Sequence, residues 1–241
     1  PNQPTLMVHY TTMVLKEMAR TVDIIGLDHY PVPRNPLTEI SDYVDQGYKA
    51  SLGLKPVWMV LQAFAWYQYR DPKTPVEGNP RARIPSEEEL LGGRAPTREE
   101  ARCMTYLALT HNAKGLFYYC YYDMHVLPQY AEMWAWMKEI GSEVKTLFPV
   151  LLSTDTIPSR CDESGIHHLA RKSGNAITLL AVNGSQNTVS TTITLTSNDG
   201  RTMFSGMAEV LFENRMVPIT QGCIQDTFSP QAVHVYRLTE K

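Results

Sequence analysis

Hydrophobic residues in the first 150 positions form four short continuous runs, at residues 4–10, 23–30, 55–64 and 116–122. Between and after these runs, apolar residues recur at helical spacing over residues 13–21, 38–54, 97–111 and 130–147. That spacing is typical of helices that bury one face. Continuous apolar runs are typical of parallel strands buried on both faces. The pattern therefore predicts four consecutive strand–helix units whose strands lie side by side in one parallel sheet.

The pattern changes after Pro149, where short segments of alternating polar and apolar residues are separated by turn dipeptides such as Asn183-Gly184. These segments lie at residues 165–170, 176–183, 189–195, 207–212 and 232–238. Alternation with such turns predicts an antiparallel sheet, which we interpret as a β-sandwich. The predicted fold class is therefore α/β plus all-β, with an α/β domain over residues 1–150 and a sandwich domain over residues 151–241.

One long segment, from Ala65 to Pro96, follows neither pattern and contains five prolines. Loops of this length are usually functional or disordered, so we expect a lid over a site or an arm between subunits. The segment ends at Thr97-Arg-Glu-Glu100, a capping-box signature that predicts the start of the third long helix.

Composition narrows the possible functions. The chain has 241 residues, 43% of them hydrophobic, and a formal net charge of -3. The sequence has no stripe of basic residues, so nucleic-acid binding is not predicted. No apolar run approaches the roughly 18 residues of a membrane span. The four cysteines are widely spaced, so we predict no metal site. We also predict no cofactor, since the sequence has neither a Gly-rich phosphate loop nor a dinucleotide fingerprint. We expect a soluble protein, with cytoplasmic and secreted locations both open.

Polar residues stand at the carboxyl ends of the predicted strands, where barrel enzymes place their sites. Asp28, His29 and Tyr30 end the second run, Gln62 lies near the end of the third, and Asp123 follows the fourth. Strand alternation predicts an inward rim of His9, Asp28, Gln62 and Asp123. His29 then points the other way, unless the turn at Pro31 redirects it.

Two carboxyl groups are the predicted catalytic residues. Asp28 and Asp123 could act as an acid/base pair if burial separates their pKa values. The alternative is that the Asp28 carboxylate is structural and only accepts hydrogen bonds. His9, His29, Tyr30 and Gln62 are candidate substrate-binding residues. The alternative for His9 is a core histidine whose ring is satisfied by a hydrogen bond.

Aromatic residues cluster at and after the predicted strand ends. Phe64, Trp66, Tyr121 and Tyr122 are further candidate substrate-binding residues, and Tyr69 and Tyr119 belong to the same cluster. Aromatic rings stack on the apolar face of a sugar ring, while tyrosine hydroxyls offer polar contacts. The alternative is that the rings only pack the core.

The order of the segments DIIGLDHYPVP, KPVWMVLQAF and PTREEARCMTYLALTHNAKGLFYYCYYDM resembles the later barrel strands of the glycoside hydrolase superfamily with (β/α)8 barrels. The tail, with TLLAVNGS, AEVLFENR and DTFSPQAVHVYRL, looks like the β-sandwich appended to many such enzymes. In the related barrels the acid/base usually follows the fourth strand and the nucleophile the seventh. If residues 55–64 match that seventh strand, the nucleophile position falls near Gln62, an amide that cannot act as a carboxylate.

The resemblance implies eight strands, whereas the sequence predicts four. A half-barrel exposes two strand edges and an apolar inner face, so we expect a homodimer that completes the barrel. The predicted function is a hydrolase acting on a glycoside, or on a repurposed hydrolysable substrate, by carboxylate acid/base chemistry. The alternatives are a catalytically degenerate carbohydrate-binding protein and an inactive fragment of a full-length glycosidase.

Overall fold

The computed structural model describes residues 3–69, 86–196 and 204–239. The described residues form two compact units. The first unit draws on residues 1–108 and 112–138, and the second on residues 109–111 and 139–241. The predicted domain boundary at residue 150 stays a prediction. Half of the predicted lid or arm, residues 70–85, lies outside the described residues.

The first unit is built on a four-stranded parallel sheet in the order β1-β2-β3-β4. Its strands are β1 (Leu6–His9), β2 (Ile24–Asp28), β3 (Val57–Gln62) and β4 (Gly115–Tyr119). The helices from residue 15 to residue 152 are α1 (Leu15–Thr21), α2 (Glu39–Ala50), α3 (Glu87–Gly93), α4 (Arg98–Thr110), α5 (Tyr121–His125), α6 (Tyr130–Thr146) and α7 (Phe148–Leu152). The four predicted parallel strands and their order along the chain are confirmed.

The two faces of this sheet differ in burial. On one face, Ile25, Leu27 and Met59 are fully buried, and α1 and α2 pack against this part of the sheet. On the other face, the apolar side chains of Leu6, Val8 and Phe117 are 39–45% exposed. Helices α1 and α2 therefore cover one face of a sheet that is apolar on both.

The predicted capping box at the start of α4 is confirmed. The Glu100 backbone N–H donates to the Thr97 hydroxyl, and the Thr97 N–H donates to the Glu100 carboxylate. The Arg94 guanidinium forms a bidentate ion pair with the same carboxylate, at 2.6 and 2.7 Å. Because a buried carboxylate is costly without partners, this arrangement both starts the helix and satisfies Glu100.

The fourth strand is shorter than predicted. Residues 116–122 were predicted as one strand, but β4 ends at Tyr119 and Tyr121 begins the short helix α5. Asp123 is therefore a helical residue rather than a strand residue. Hydrophobic periodicity does not separate a short strand from a short helix in a run this rich in aromatic residues.

Among its described residues, the second unit contains eight antiparallel strands joined in one sheet, which confirms the predicted antiparallel unit, whereas a division into two packed sheets stays a prediction. Their order is β5-β8-β11-β10-β9-β12-β7-β6. The strands are β5 (Ser159–Cys161), β6 (Ile166–Ser173), β7 (Ala176–Asn183), β8 (Val189–Leu195), β9 (Gly206–Leu211), β10 (Arg215–Thr220), β11 (Cys223–Phe228) and β12 (Val233–Thr239). Thr156, just before β5, bridges to Arg171 of β6, so the sheet nearly closes on itself. Sequence alternation cannot distinguish a closed sheet from two packed sheets, because both have one buried face.

The sequence missed β5, β10 and β11. Pro218 lies within β10 and cannot donate to a ladder, which argued against a strand there. In the structure, β10 pairs with β11 only through Ile219 and Thr220, beyond the proline. The pairing of β10 with β11 therefore begins after Pro218, whose partner Met207 lies on β9.

A charged network joins three strands of this sheet to a turn. The Arg215 guanidinium donates to Glu213 and to Asp226, both at 2.8 Å. His234 pairs with Glu213 at 2.5 Å, and the Tyr236 hydroxyl donates to Asp226 at 2.8 Å. Burial alone would raise the pKa of Glu213 and of Asp226, but the hydrogen bonds from these partners outweigh it and both pKa values are lowered. The network thus favours both carboxylates in their charged form.

None of the described helices is long and apolar enough to cross a membrane.

Gly115 is required at the start of β4 because Trp58 of β3 lies against it. A Cβ at Gly115 would come within 2.4 Å of the Trp58 ring. We expect Gly115→Ala to lower the free energy of unfolding by about 1–3 kcal/mol, as overpacking does. The matched control is Gly141→Ala in α6, where a Cβ meets nothing within 4 Å. Chemical denaturation followed by tryptophan fluorescence measures both, and equal stability of Gly115→Ala and wild type would contradict the packing described.

The network around Arg215 predicts a loss of stability in acid. Glu213 and Asp226 have lower pKa values in the folded protein than in the unfolded chain. Their contribution to the free energy of unfolding is therefore full above the unfolded pKa values and is lost as the pH falls through the folded-state pKa values. Arg215→Met should cost about 2 kcal/mol at pH 7 and flatten the pH dependence below about pH 5.

The control for this substitution is Arg237→Met, which breaks an ion pair with Glu209 that is nearly half exposed at both ends. It should cost less than about 1 kcal/mol. Calorimetric unfolding between pH 3 and pH 7 compares the variants, and an unchanged pH profile for Arg215→Met would refute the role of the network.

Candidate functional site

An open cleft of about 650 Å³ lies over the exposed face of the parallel sheet, toward the carboxyl ends of its strands. Its floor and walls are mostly apolar or aromatic, and Asp28 is the one carboxylate among the described lining residues. The lining consists of Leu6, Val8, Asp28, Tyr30, Val60, Phe117, Tyr118 and Tyr119. This combination of an apolar wall with few polar groups is typical of a small-molecule site.

Asp28 and Tyr30 form the polar corner of the cleft. Burial, followed by the nearby charge of Asp28, raises the pKa of Tyr30. Tyr30 therefore stays protonated beside the carboxylate. The Oδ1 atom of Asp28 is buried and has no hydrogen-bond partner. A buried acceptor without a donor costs about 1–3 kcal/mol, which a ligand hydroxyl would relieve.

Phe64 forms the centre of an aromatic group behind this corner. Its ring is 2% exposed and meets the rings of Tyr30, Trp66 and Tyr69 edge-on, at centroid distances of 5.0–5.1 Å. The guanidinium of Arg34 lies 5.3 Å from the centre of the Trp66 ring. Phe64 and Trp66 thus support the cleft from behind, and neither belongs to its described lining.

Asp123 is fully buried and lies outside the described cleft lining. Its Oδ2 atom accepts hydrogen bonds from the Tyr69 hydroxyl and from the Cys120 thiol, the latter at 3.1 Å. Burial and then the hydrogen bond to Asp123 raise the pKa of Tyr69. Tyr69 and Cys120 thus hold Asp123 outside the described lining of the cleft.

The Gln62 side chain links the turn after β2 to the end of β3 by hydrogen bonds. Its amide oxygen accepts from the Val32 N–H at 2.9 Å, and its amide nitrogen donates to the carbonyls of Val32 and Phe64. The side chain is 1% exposed. These bonds fix the turn after β2 against the end of β3, and so set the direction in which Tyr30 leaves the strand.

The prediction that His9 faces inward with Asp28 is wrong. In the sheet register, His9 is the partner of Leu27, whereas Val8 is the partner of Gly26. Neighbouring residues in parallel strands share a face, so Leu6 and Val8 line the cleft and His9 lies on the opposite face. The His9 ring instead accepts from the Thr11 N–H at 3.1 Å. A four-residue strand with apolar residues on both sides gives no sequence signal for this choice.

His29 also points away from the cleft, as alternation predicted. Its Nε2 atom lies 2.6 Å from the Glu39 carboxylate of α2, and its ring stacks on Tyr43. Burial lowers the pKa of His29, and the hydrogen bond to Glu39 only partly opposes this. The ring thus joins β2 to α2.

The last two predicted aromatic residues, Tyr121 and Tyr122, are each 55% exposed in α5. Neither belongs to the described lining of the cleft. Tyr121 instead packs with His125, Tyr130 and Trp134. Substrate binding by Tyr121 and Tyr122 stays a prediction.

The structure therefore brings together Asp28 and Tyr30 in the cleft and keeps His9, His29, Gln62 and Asp123 out of it. Sequence reasoning missed Leu6, Val8, Val60 and Phe117 as lining residues. Alternation on β3 and β4 carries the signal for Val60 and Phe117, because they share a face with Trp58 and Tyr119. Among the described residues, no group of three or more His, Cys, Asp or Glu could hold a metal ion.

Comparison with known proteins shows similarity at the level of fold. The maltogenic alpha-amylase AmyB of Thermotoga neapolitana is 13% identical, with a TM-score of 0.56 over 97% of this chain and 54% of that chain. A GH30 endoxylanase of Clostridium papyrosolvens is 14% identical, with a TM-score of 0.47 over 99% of this chain and 57% of that one. The alpha-amylase of Geobacillus thermoleovorans is 12% identical, with a TM-score of 0.46 over 95% and 63% of the two chains.

This chain thus spans between half and two thirds of the length of these glycoside hydrolases. No family model and no curated protein matches the sequence. The fold of this chain, an α/β unit followed by an antiparallel β unit, is one that glycoside hydrolases also have.

Proposed function

We propose that this chain is a glycosidase-related hydrolase whose cleft binds a carbohydrate and whose reactive carboxyl group is Asp28. The observation that carries the proposal is the Oδ1 atom of Asp28, a buried acceptor without a donor, in a cleft lined by aromatic rings. Sugar hydroxyls supply donors, and the apolar face of a sugar ring suits the walls of Tyr30 and Tyr119. The amylase fold likeness supports the same class of ligand.

Glycoside hydrolysis requires a second carboxyl group. Asp123 was the predicted partner, but its buried position behind Tyr69 suits a supporting role. We therefore assign Asp28 the direct contact with substrate and place the second carboxyl group on the part of the barrel that completes the cleft.

Asp28→Asn should lower turnover of chromogenic glycosides by about 10²- to 10⁴-fold, because the amide can neither give nor take the proton that the carboxyl transfers. The control is Asp42→Asn, an exposed aspartate of α2, which should leave turnover unchanged. Steady-state rates on a panel of nitrophenyl α- and β-glycosides measure both. If Asp28→Asn hydrolysed these glycosides at the wild-type rate, the assignment of Asp28 as the reactive carboxyl group would be wrong.

A carbohydrate-binding protein without activity is the second candidate function. It is favoured by Gln62, an amide fully engaged with backbone groups at a strand end where the family resemblance implies a carboxylate. Saccharide binding without turnover in the wild-type protein would select this candidate.

We further propose that the parallel sheet is a half-barrel completed by a second copy of the chain. Within the described residues, β1 pairs only with β2 and β4 only with β3, so each outer strand has a free edge. A two-fold axis would pair each β1 edge with the β4 edge of the other copy and enclose the face that carries Leu6, Val8 and Phe117 inside the barrel. The same closure would bring a second Asp28 to the cleft.

The dimer predicts a mass in solution of twice 27.3 kDa. Leu6→Lys places a charge on the proposed interface and should shift the protein toward monomer, because an unpaired buried charge is costly. Leu54→Lys is the control, since Leu54 is 82% exposed after α2. Light scattering coupled to size-exclusion chromatography reads the mass, and a wild-type monomer at micromolar concentration would refute the proposal.

A further inference from the structure

A group of four aromatic side chains lies on the surface of α5 and α6, beyond the end of β4. Tyr121 and Trp134 are 55% and 39% exposed, His125 is exposed and Tyr130 is half-buried. We call Tyr121, His125, Tyr130 and Trp134 the aromatic patch. Single exposed apolar residues are ordinary, but a contiguous exposed group of large rings is typical of a binding surface.

Each of the two helices contributes two rings that lie one helical turn apart. Tyr121 stacks on His125 with ring centroids 5.7 Å apart, and Tyr130 stacks on Trp134 at 6.3 Å. The two pairs meet edge to face, since the Tyr121 ring lies at 85° to that of Tyr130 and at 75° to that of Trp134. The Tyr130 hydroxyl also donates to the Tyr121 hydroxyl at 3.2 Å. Because the rings hold one another in place, a ligand meets a surface that is already ordered.

The aromatic patch begins where the cleft ends. Tyr119, the last residue of β4, lines the cleft, and Tyr121 is the first residue of α5. Two residues span at most about 7 Å of chain, so the backbones of these two tyrosines are closely spaced. A chain-like ligand that leaves the cleft beside Tyr119 therefore reaches the patch directly.

The chemistry of the patch fits a saccharide chain. The faces of tyrosine and tryptophan rings stack on the apolar face of a sugar ring. The two tyrosine hydroxyls, the indole N–H of Trp134 and the imidazole of His125 place polar atoms at the ring edges, where sugar hydroxyls lie. The patch therefore offers the same combination as the cleft, namely aromatic rings with a few polar groups.

We propose that the aromatic patch is a second saccharide-binding site that extends the cleft, and that the substrate is a chain of several sugar units rather than a mono- or disaccharide. The proposal rests on the carbohydrate function proposed above and names the substrate class of the same site. A long chain gains contacts with the patch that a short ligand, bound in the cleft alone, does not make. The affinity should therefore rise with the length of the saccharide, and the patch should carry that rise.

The test compares binding of disaccharides and hexasaccharides to the full chain by isothermal titration calorimetry. The probes are the two lengths of the malto-, cello- and xylo-series, and in at least one series the hexasaccharide should bind more tightly. Trp134→Ala should weaken binding of that hexasaccharide about tenfold, or about 1.4 kcal/mol, because one stacking ring is lost. Binding of the disaccharide should stay at the wild-type value. If Trp134→Ala does not fold, Tyr121→Ala tests the same patch from α5.

The control is Phe148→Ala in α7, an aromatic side chain of similar exposure, 53%, outside the patch. Its affinities should equal those of wild type. Equal wild-type affinity for both lengths, or an equal loss for both lengths in Trp134→Ala, would overturn the second site while leaving a carbohydrate function in place. A shift of Trp134→Ala toward monomer in light scattering, with unchanged hexasaccharide affinity, would make the patch a contact between copies and also overturn it. Binding of no saccharide would overturn both proposals.

Discussion

A parallel sheet must be covered on both faces, because its strands are apolar on both and its outer strands carry unpaired backbone groups. In this protein, the face with Ile25, Leu27 and Met59 is covered by helices. The other face keeps Leu6, Val8 and Phe117 substantially exposed. The cleft, the direction of Asp28 and the proposed association all follow from this one-sided cover.

The cleft takes its shape from the way β2 ends. Gln62 binds the backbone of Val32 in both directions and so holds the turn after β2 against β3. Tyr30 is thereby directed back over Phe64, against which its ring packs edge-on. A buried amide that binds only backbone groups thus holds the turn that carries Tyr30 into the cleft. The contribution of Gln62 to a ligand site is indirect, because its own polar atoms are all engaged.

Much of the fold was predictable because its elements leave sequence patterns several residues long. Examples are the four parallel strands, the capped start of α4 and the antiparallel second half. The site was less predictable because single-residue choices decide it. His9 and Val8 differ by one position in register, and that one position exchanges a histidine for a valine in the cleft. Asp123 differs from its predicted place because β4 gives way to α5 within an unbroken aromatic run.

Asp28 and Asp123 carry the same carboxyl group, but their different burial gives them different roles. Asp28 is half-buried at a strand end and keeps one oxygen without a donor. Asp123 is fully buried, and a phenol and a thiol both donate to one of its oxygens. A carboxylate that already accepts several bonds is poorly placed to accept a proton from a substrate, but it holds its donors firmly in one orientation. Asp123 therefore supports the aromatic group behind the cleft through Tyr69, whereas Asp28 lines the cleft itself.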